Sequence, residues 1–227
     1  MNIKYVKLNL GFDDGLSIEQ VQIYAKPEFN YEQMLEIRHG LKGGLTPEQI
    51  EFCAKPEFTA YQLDLIILGL LKGLTLEEVS LFTKSKFNFS QMIEIREGLE
   101  DGLTIEQIAT YAKPKFNAIQ MRQIRLGLGY NKLTPEQLSM YAKSEFNGKQ
   151  MQEIRRGFVD NNLTLEQVAV FAKPEFDEGQ MNIIRYGFEE GLTLEQVATY
   201  ANPKFDKYQM IEIREKLLND KRRNNHE

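Results

Sequence analysis

The chain has 227 residues, 42% of them hydrophobic and 27% charged, with a formal net charge of -5 and a pI near 5.3. That balance argues against a generally basic nucleic-acid surface, and no stretch approaches the roughly 20 apolar residues of a membrane span. One cysteine, Cys53, excludes an intrachain disulfide framework, and residues 1–10 lack the apolar h-region of a signal peptide, so a soluble cytoplasmic protein is expected.

The first 15 residues read as half of a unit that then repeats. Tyr5, Leu8, Gly11, Phe12 and Gly15 stand 29 residues before Met34, Ile37, Gly40, Leu41 and Gly44. Full units begin at Leu16, Leu45, Leu74, Leu103, Leu133, Leu163 and Leu192, spaced by 29 or 30 residues. A unit of this length cannot bury a core alone, so neighbours must stack. The expected fold is all-α: a right-handed α-α superhelix, or solenoid, of seven two-helix repeats preceded by one half-repeat helix. It forms a single domain over 1–220, followed by a polar tail over 221–227.

Each unit contains two helix starts. The first is a Ser or Thr cap, from Ser17 to Thr193, answered three residues later by Gln or, at Glu78, by Glu. Such a pair is a capping box, in which each side chain satisfies an orphan backbone N–H of the first turn. The second start repeats the device with Asn30, Thr59, Asn88, Asn117, Asn147, Asp177 and Asp206, each answered by a glutamine from Gln33 to Gln209. Fourteen helices follow. Pro27, Pro56, Pro114, Pro174 and Pro203 end the first helix of their units after two to three turns. Second helices carry an apolar stripe such as Met34, Ile37 and Leu41, and stop at Gly44, Gly73, Gly102 and Gly191, where glycine can adopt a left-handed C-cap. In the two longer units Asn131 and either Asn161 or Asn162 are expected to take that conformation. Mid-helix glycines from Gly40 to Gly187 cost roughly 1 kcal/mol each relative to alanine, which close approach of a neighbouring helix or, alternatively, early helix termination would explain.

Catalysis requires a constellation that the repeat does not explain, and none stands out. The two histidines, His39 and His226, lie far apart with no recurring carboxylate or cysteine partner. Neither a metal site, a cofactor nor an enzyme is expected. Arg38, Arg96, Arg125, Arg155, Arg185 and Arg214 recur beside the second-helix stripe, and Lys26, Lys55, Lys84, Lys113, Lys143 and Lys173 mark the inter-helix turn. They read either as structural pairs between repeats and solvated lysines, or as a basic ladder that tracks a phosphate backbone or an acidic chain.

What varies between copies is the first turn of the second helix, where Tyr31, Tyr61, Phe89 and Tyr208 place aromatics of the kind enriched at interfaces. The second helix of repeat two is apolar nearly all round, and Tyr61, Leu65, Ile67, Leu68 and Leu71 are expected to form a partner or self-association surface.

The architecture resembles helical-hairpin solenoids such as the tetratricopeptide and HEAT families, which implies a scaffold binding a protein or peptide. L-T-P-E-Q-I at 45–50 and L-T-P-E-Q-L at 133–138 also resemble the opening of the transcription-activator-like effector repeat, which implies DNA reading. That match ends after the first helix: the family continues with a variable pair and glycines, whereas here a four-residue turn follows, Lys, then Pro or Ser, then Glu or Lys, then Phe. A non-enzymatic protein-binding scaffold is therefore the first expectation, and nucleic-acid binding through the Arg and Lys ladders the second.

Overall fold

The computed structural model describes residues 15–84 and 86–224. The half-repeat helix expected over 1–15, Gly15 apart, and His226 lie outside them. Among the described residues the chain is entirely helical, with fourteen helices: α1 (Ile18–Tyr24), α2 (Tyr31–Lys42), α3 (Pro47–Cys53), α4 (Ala60–Leu71), α5 (Leu76–Phe82), α6 (Phe89–Glu100), α7 (Ile105–Tyr111), α8 (Ala118–Leu128), α9 (Pro135–Tyr141), α10 (Gly148–Val159), α11 (Leu165–Phe171), α12 (Glu178–Glu189), α13 (Leu194–Ala198) and α14 (Lys207–Asn224). They fall into two compact units, Met1–Pro114 and Lys115–Glu227. Within the first, α2 packs on α4 and α4 on α6, and the short helices α1, α3 and α5 lean on α2, α4 and α6; within the second, α8 packs on α10, α10 on α12 and α12 on α14, and α9 and α11 lean on α10 and α12.

Every helix start is a closed capping box. At α2 the Asn30 N–H donates to Gln33 Oε1 at 2.8 Å and the Gln33 N–H donates back to Asn30 Oδ1 at 2.9 Å. At α14 Asp206 and Gln209 exchange the same two bonds, both 2.9 Å. Each box places the next residues in a helical first turn with their side chains pointing away from the cap.

The glutamines of the second helices do more than cap. With Oε1 occupied by the cap, Nε2 of Gln33, Gln120, Gln150 and Gln180 reaches the turn of the following repeat, whereas that of Gln62 meets the Met92 sulfur at 3.4 Å. Gln33 donates to the carbonyls of Pro56 (3.0 Å) and Phe58 (2.6 Å). Gln150 reaches Pro174 and Phe176 at 3.1 and 2.7 Å, and Gln180 reaches Pro203 and Phe205 at 3.1 and 2.7 Å. An amide supplies both an acceptor and two donors, which a carboxylate does not. One side chain thus starts its own helix and fixes the next repeat's turn.

The junctions are equally regular. After α2 the Leu45 N–H bonds the Gly40 carbonyl at 3.0 Å and the Gly44 N–H bonds the Leu41 carbonyl at 3.1 Å, with Gly44 at φ 95°, a Schellman stop. In the longer junctions Lys132 and Asn162 adopt φ 50°. The left-handed residue is thus Lys132 and not Asn131, because the extra residue moves the reversal one place on and leaves the Asn131 and Asn161 side chains available as acceptors. Gly40 lies under Leu45, Ile50 and Ile67, and Gly98, Gly127 and Gly187 lie under the hydroxyls of Tyr111, Tyr141 and Tyr200, where a Cβ would collide. Close helix approach, as expected, accounts for these mid-helix glycines.

The core runs along the same registers: Val21, Ile50, Val79 and Ile108 of the first unit, like Val168 and Val197 of the second, are fully buried against second-helix residues such as Ile37, Leu63, Met151 and Met181. At the far end α14 continues through Lys221, Arg222 and Arg223 instead of fraying after 220. Lys221 Nζ holds it there by donating to the Glu190 and Gly191 carbonyls at 3.0 and 2.7 Å, a cation at the C-terminus of α12. Among the described residues no helix is long and apolar enough to cross a membrane.

Candidate functional site

Because the caps recur in register, the first turns of most second helices present a leading residue outward, although Gly148 of α10 is buried under Ile119. In the first unit Tyr31 at α2, Tyr61 at α4 and Phe89 at α6 are 50%, 77% and 40% exposed. The rings of Tyr61 and Phe89, from adjacent repeats, lie 6.3 Å apart at 59°, a tilted aromatic pair standing in solvent. In the second unit Ile119 and Tyr208 are exposed at the same turn, and Lys207 Nζ lies 5.0 Å from the Tyr208 ring. Tyr130, in the longer junction after α8, is the most exposed aromatic of the described residues and was not singled out from sequence.

The apolar surface expected on α4 is smaller than its sequence implies. Leu65 and Ile67 are buried, Leu68 and Leu71 are half-buried, and of the five residues only Tyr61 stands fully exposed. The helix has second helices on two sides, α2 and α6, as well as α3 and α5. Ile67 Cγ2 and Leu71 Cδ2 settle over the bare backbones of Gly40 on α2 and of Gly43 at its C-cap. An all-round apolar helix here is a core helix, so Leu65 and Ile67 leave the candidate surface.

The arginine ladder also turns inward. Arg125 and Arg185 are buried, and Arg38, Arg96, Arg155 and Arg214 are partly buried. Arg155 donates to Gln123 Oε1 at 3.1 Å and to Asn131 Oδ1 at 2.7 Å. Arg185 repeats the pattern one unit on, with Glu153 at 3.1 Å and Asn161 at 2.5 Å. Arg96 pairs with Glu100, and Arg214 with Glu215 at 2.8 Å and Glu190 at 3.6 Å. Arg155, Arg185 and Arg214 thus bridge repeats, and Arg96 pairs within its own helix, so these four are not a row offered to phosphates. Lys26, Lys55, Lys84, Lys113, Lys143 and Lys173 are exposed, and their backbone carbonyls shape the turn, as when the Phe58 N–H donates to Lys55 at 3.1 Å.

Cys53 is a core residue. Its thiol donates to the Ile50 carbonyl at 3.4 Å, and burial pushes its pKa up to about 12. One cluster escaped the sequence reading. Glu36 and His39 on α2 and Asp64 on α4 bring one ligand atom each within 4.8 Å of the others, with His39 Nδ1 3.9 Å from Glu36 Oε2. Burial, and then the charge of Asp64, raise the Glu36 pKa above the usual carboxylate range. The three residues come from two repeats and recur nowhere, so spacing along the chain could not reveal them.

Fourteen helices packed in neighbouring pairs define an all-helical repeat protein with a row of exposed first-turn aromatics. Comparison with protein-family models, curated proteins and solved structures finds no match to this chain.

Proposed function

We propose that the chain is a non-enzymatic, cytoplasmic repeat scaffold that binds a protein or peptide through the first turns of its second helices, as the tetratricopeptide-like and HEAT-like scaffolds it resembles in form do along their repeats. The supporting observation is the solvent-standing pair Tyr61 and Phe89, flanked on the preceding repeat by Tyr31. Folding gives no reason to expose large rings beside caps that are otherwise the same in every copy, whereas aromatic anchors dominate binding energetics. The phosphate-tracking alternative keeps chiefly the turn lysines, because the six arginines are buried or half-buried and Arg155, Arg185 and Arg214 are engaged between repeats. Self-association through α4 keeps Tyr61 and the exposed edges of Leu68 and Leu71.

Selection of peptides from a displayed random library against the whole chain tests the proposal. Affinity for the selected peptide should fall about 10- to 100-fold in the double variant Tyr61→Ala, Phe89→Ala and stay unchanged in Tyr130→Ala. Equal loss in both variants, or undiminished binding in the first, removes the reading. Binding of mixed DNA and RNA that weakens steeply with salt would instead favour the lysines.

A further inference from the structure

The inter-repeat ladder has a break between repeats one and two, and it leaves two carboxylates, Glu36 and Asp64, close together beside Ile67, with His39 Nδ1 3.9 Å from Glu36. The intact version is visible at Glu153 on α10. Its carboxylate accepts from Arg185 Nε at 3.1 Å, from Asn182 Nδ2 at 3.1 Å and from Arg156 of its own helix at 3.2 Å. Glu36 on α2 occupies the same register in repeat one. There each of the three donors is replaced: Ile67 stands for Arg185, Asp64 for Asn182 and His39 for Arg156.

The substitutions are electrostatically one-sided. Two cations and an amide become an alkyl group, a second carboxylate and an imidazole. Asp64 is the only side chain on α4 that is charged at neutral pH, in a helix otherwise of Ala, Tyr, Gln, Leu, Ile and Gly, and it makes no hydrogen bond or ion pair with the described residues. A lone carboxylate on an otherwise apolar helix, aimed at another carboxylate, destabilises the apo fold unless a cation sits between them.

We propose that Glu36, His39 and Asp64 form a divalent-cation site bridging repeats one and two. Two carboxylate oxygens and one imidazole nitrogen are a donor set suited to a borderline ion such as Zn2+, with water completing the shell. Glu36 and His39 stand three residues apart on one helix, so both face Asp64 on the neighbour. Bonds of about 2.1 Å set ligand atoms roughly 3–3.5 Å apart around such an ion. The present separations of up to 4.8 Å close by small side-chain rotations. Bound there, the ion does the work that Arg185 does at Glu153: it ties a second helix to the next one.

The test is calorimetric titration of Zn2+ into the chelator-stripped full chain at pH 7.5, with Co2+ absorption reporting the ligand set. The wild type should take up one equivalent and melt at a higher temperature with Zn2+ present. Asp64→Asn and His39→Arg restore donors seen at Glu153, so both should fold at least as well without metal. Each should lose Zn2+ affinity by about tenfold or more. His226→Ala, outside the described residues, should bind like the wild type. The proposal is overturned by absence of stoichiometric uptake, by retention of affinity in Asp64→Asn, or by loss only in His226→Ala.

Discussion

Gln150→Glu isolates the double role of the second-helix glutamines. The introduced carboxyl can still accept the cap bond that Asn147 N–H donates to Gln150 at 2.8 Å. It cannot make the two bonds that Nε2 sends to Pro174 and Phe176. Each lost bond costs about 0.5–1.5 kcal/mol net. A carboxylate pressed on two carbonyl oxygens at a site 6% exposed adds desolvation and repulsion, for a total of about 2–4 kcal/mol. The control is Gln137→Glu at the first helix of repeat five. Gln137 accepts the cap bond from Thr134 N–H at 2.9 Å, and Glu78 already fills this register in repeat three, accepting from Thr75 N–H at 2.8 Å. That change should stay within about 0.5 kcal/mol. Urea unfolding followed by circular dichroism measures both, since the chain has no tryptophan. Burial raises the folded pKa of the introduced carboxyl above its unfolded value. The Gln150→Glu penalty is therefore complete above the folded pKa and shrinks as the pH falls through it. Equal costs for the two substitutions, or a penalty that grows on acidification from pH 7, would refute the forward-reaching amide.

Gly127→Ala should destabilise by about 1–3 kcal/mol, because its Cβ collides with the Tyr141 hydroxyl. Gly69→Ala meets the Leu74 methyl at 3.1 Å, with Arg96 Cδ and Phe82 Cζ at an ordinary 3.7 Å, and should be neutral or gain up to about 1 kcal/mol from helix propensity; the same urea curves compare them. Tyr141→Phe should cost about 1 kcal/mol for the bond to the Gln123 carbonyl. Tyr200→Phe should cost nothing measurable, since the Tyr200 hydroxyl has no hydrogen-bond partner among the described residues. Cys53 should resist aromatic disulfide reagents at pH 8 and react only along the unfolding curve, given its burial and raised pKa; prompt labelling of the native chain contradicts that packing.

The fourteen helix starts were legible because a capping box is a signal four residues long, and each one closes as the spacing requires. The registers of the stripe and the need for small residues at Gly98, Gly127 and Gly187 were legible for the same reason, since repetition separates framework from drift. The second bond of Gln33 or Gln150 spans more than twenty residues and left a fainter trace: the second-helix register is glutamine in all seven repeats, whereas the first-helix register admits Glu78. Burial of Leu65 and Ile67 depended on neighbours flanking α4 on both sides, a tertiary fact that the apolar composition of one helix does not contain. The arginines were readable as a ladder, but whether they faced solvent was decided by Gln123, Asn131, Glu153 and Asn161, which receive them. The Glu36, His39 and Asp64 cluster was illegible because it is a departure from the repeat whose members meet only after two repeats stack.

The most direct measurement of the central claim is photo-cross-linking of a selected peptide from single benzoylphenylalanine replacements in the whole chain. Position 61, at the first turn of α4, and position 89, at the first turn of α6, should cross-link in high yield. Positions 55 and 84 on the lysine turns, and position 130, should give background. Cross-links concentrated at 55 and 84 with none at 61 or 89 would contradict an aromatic docking surface on the second-helix starts.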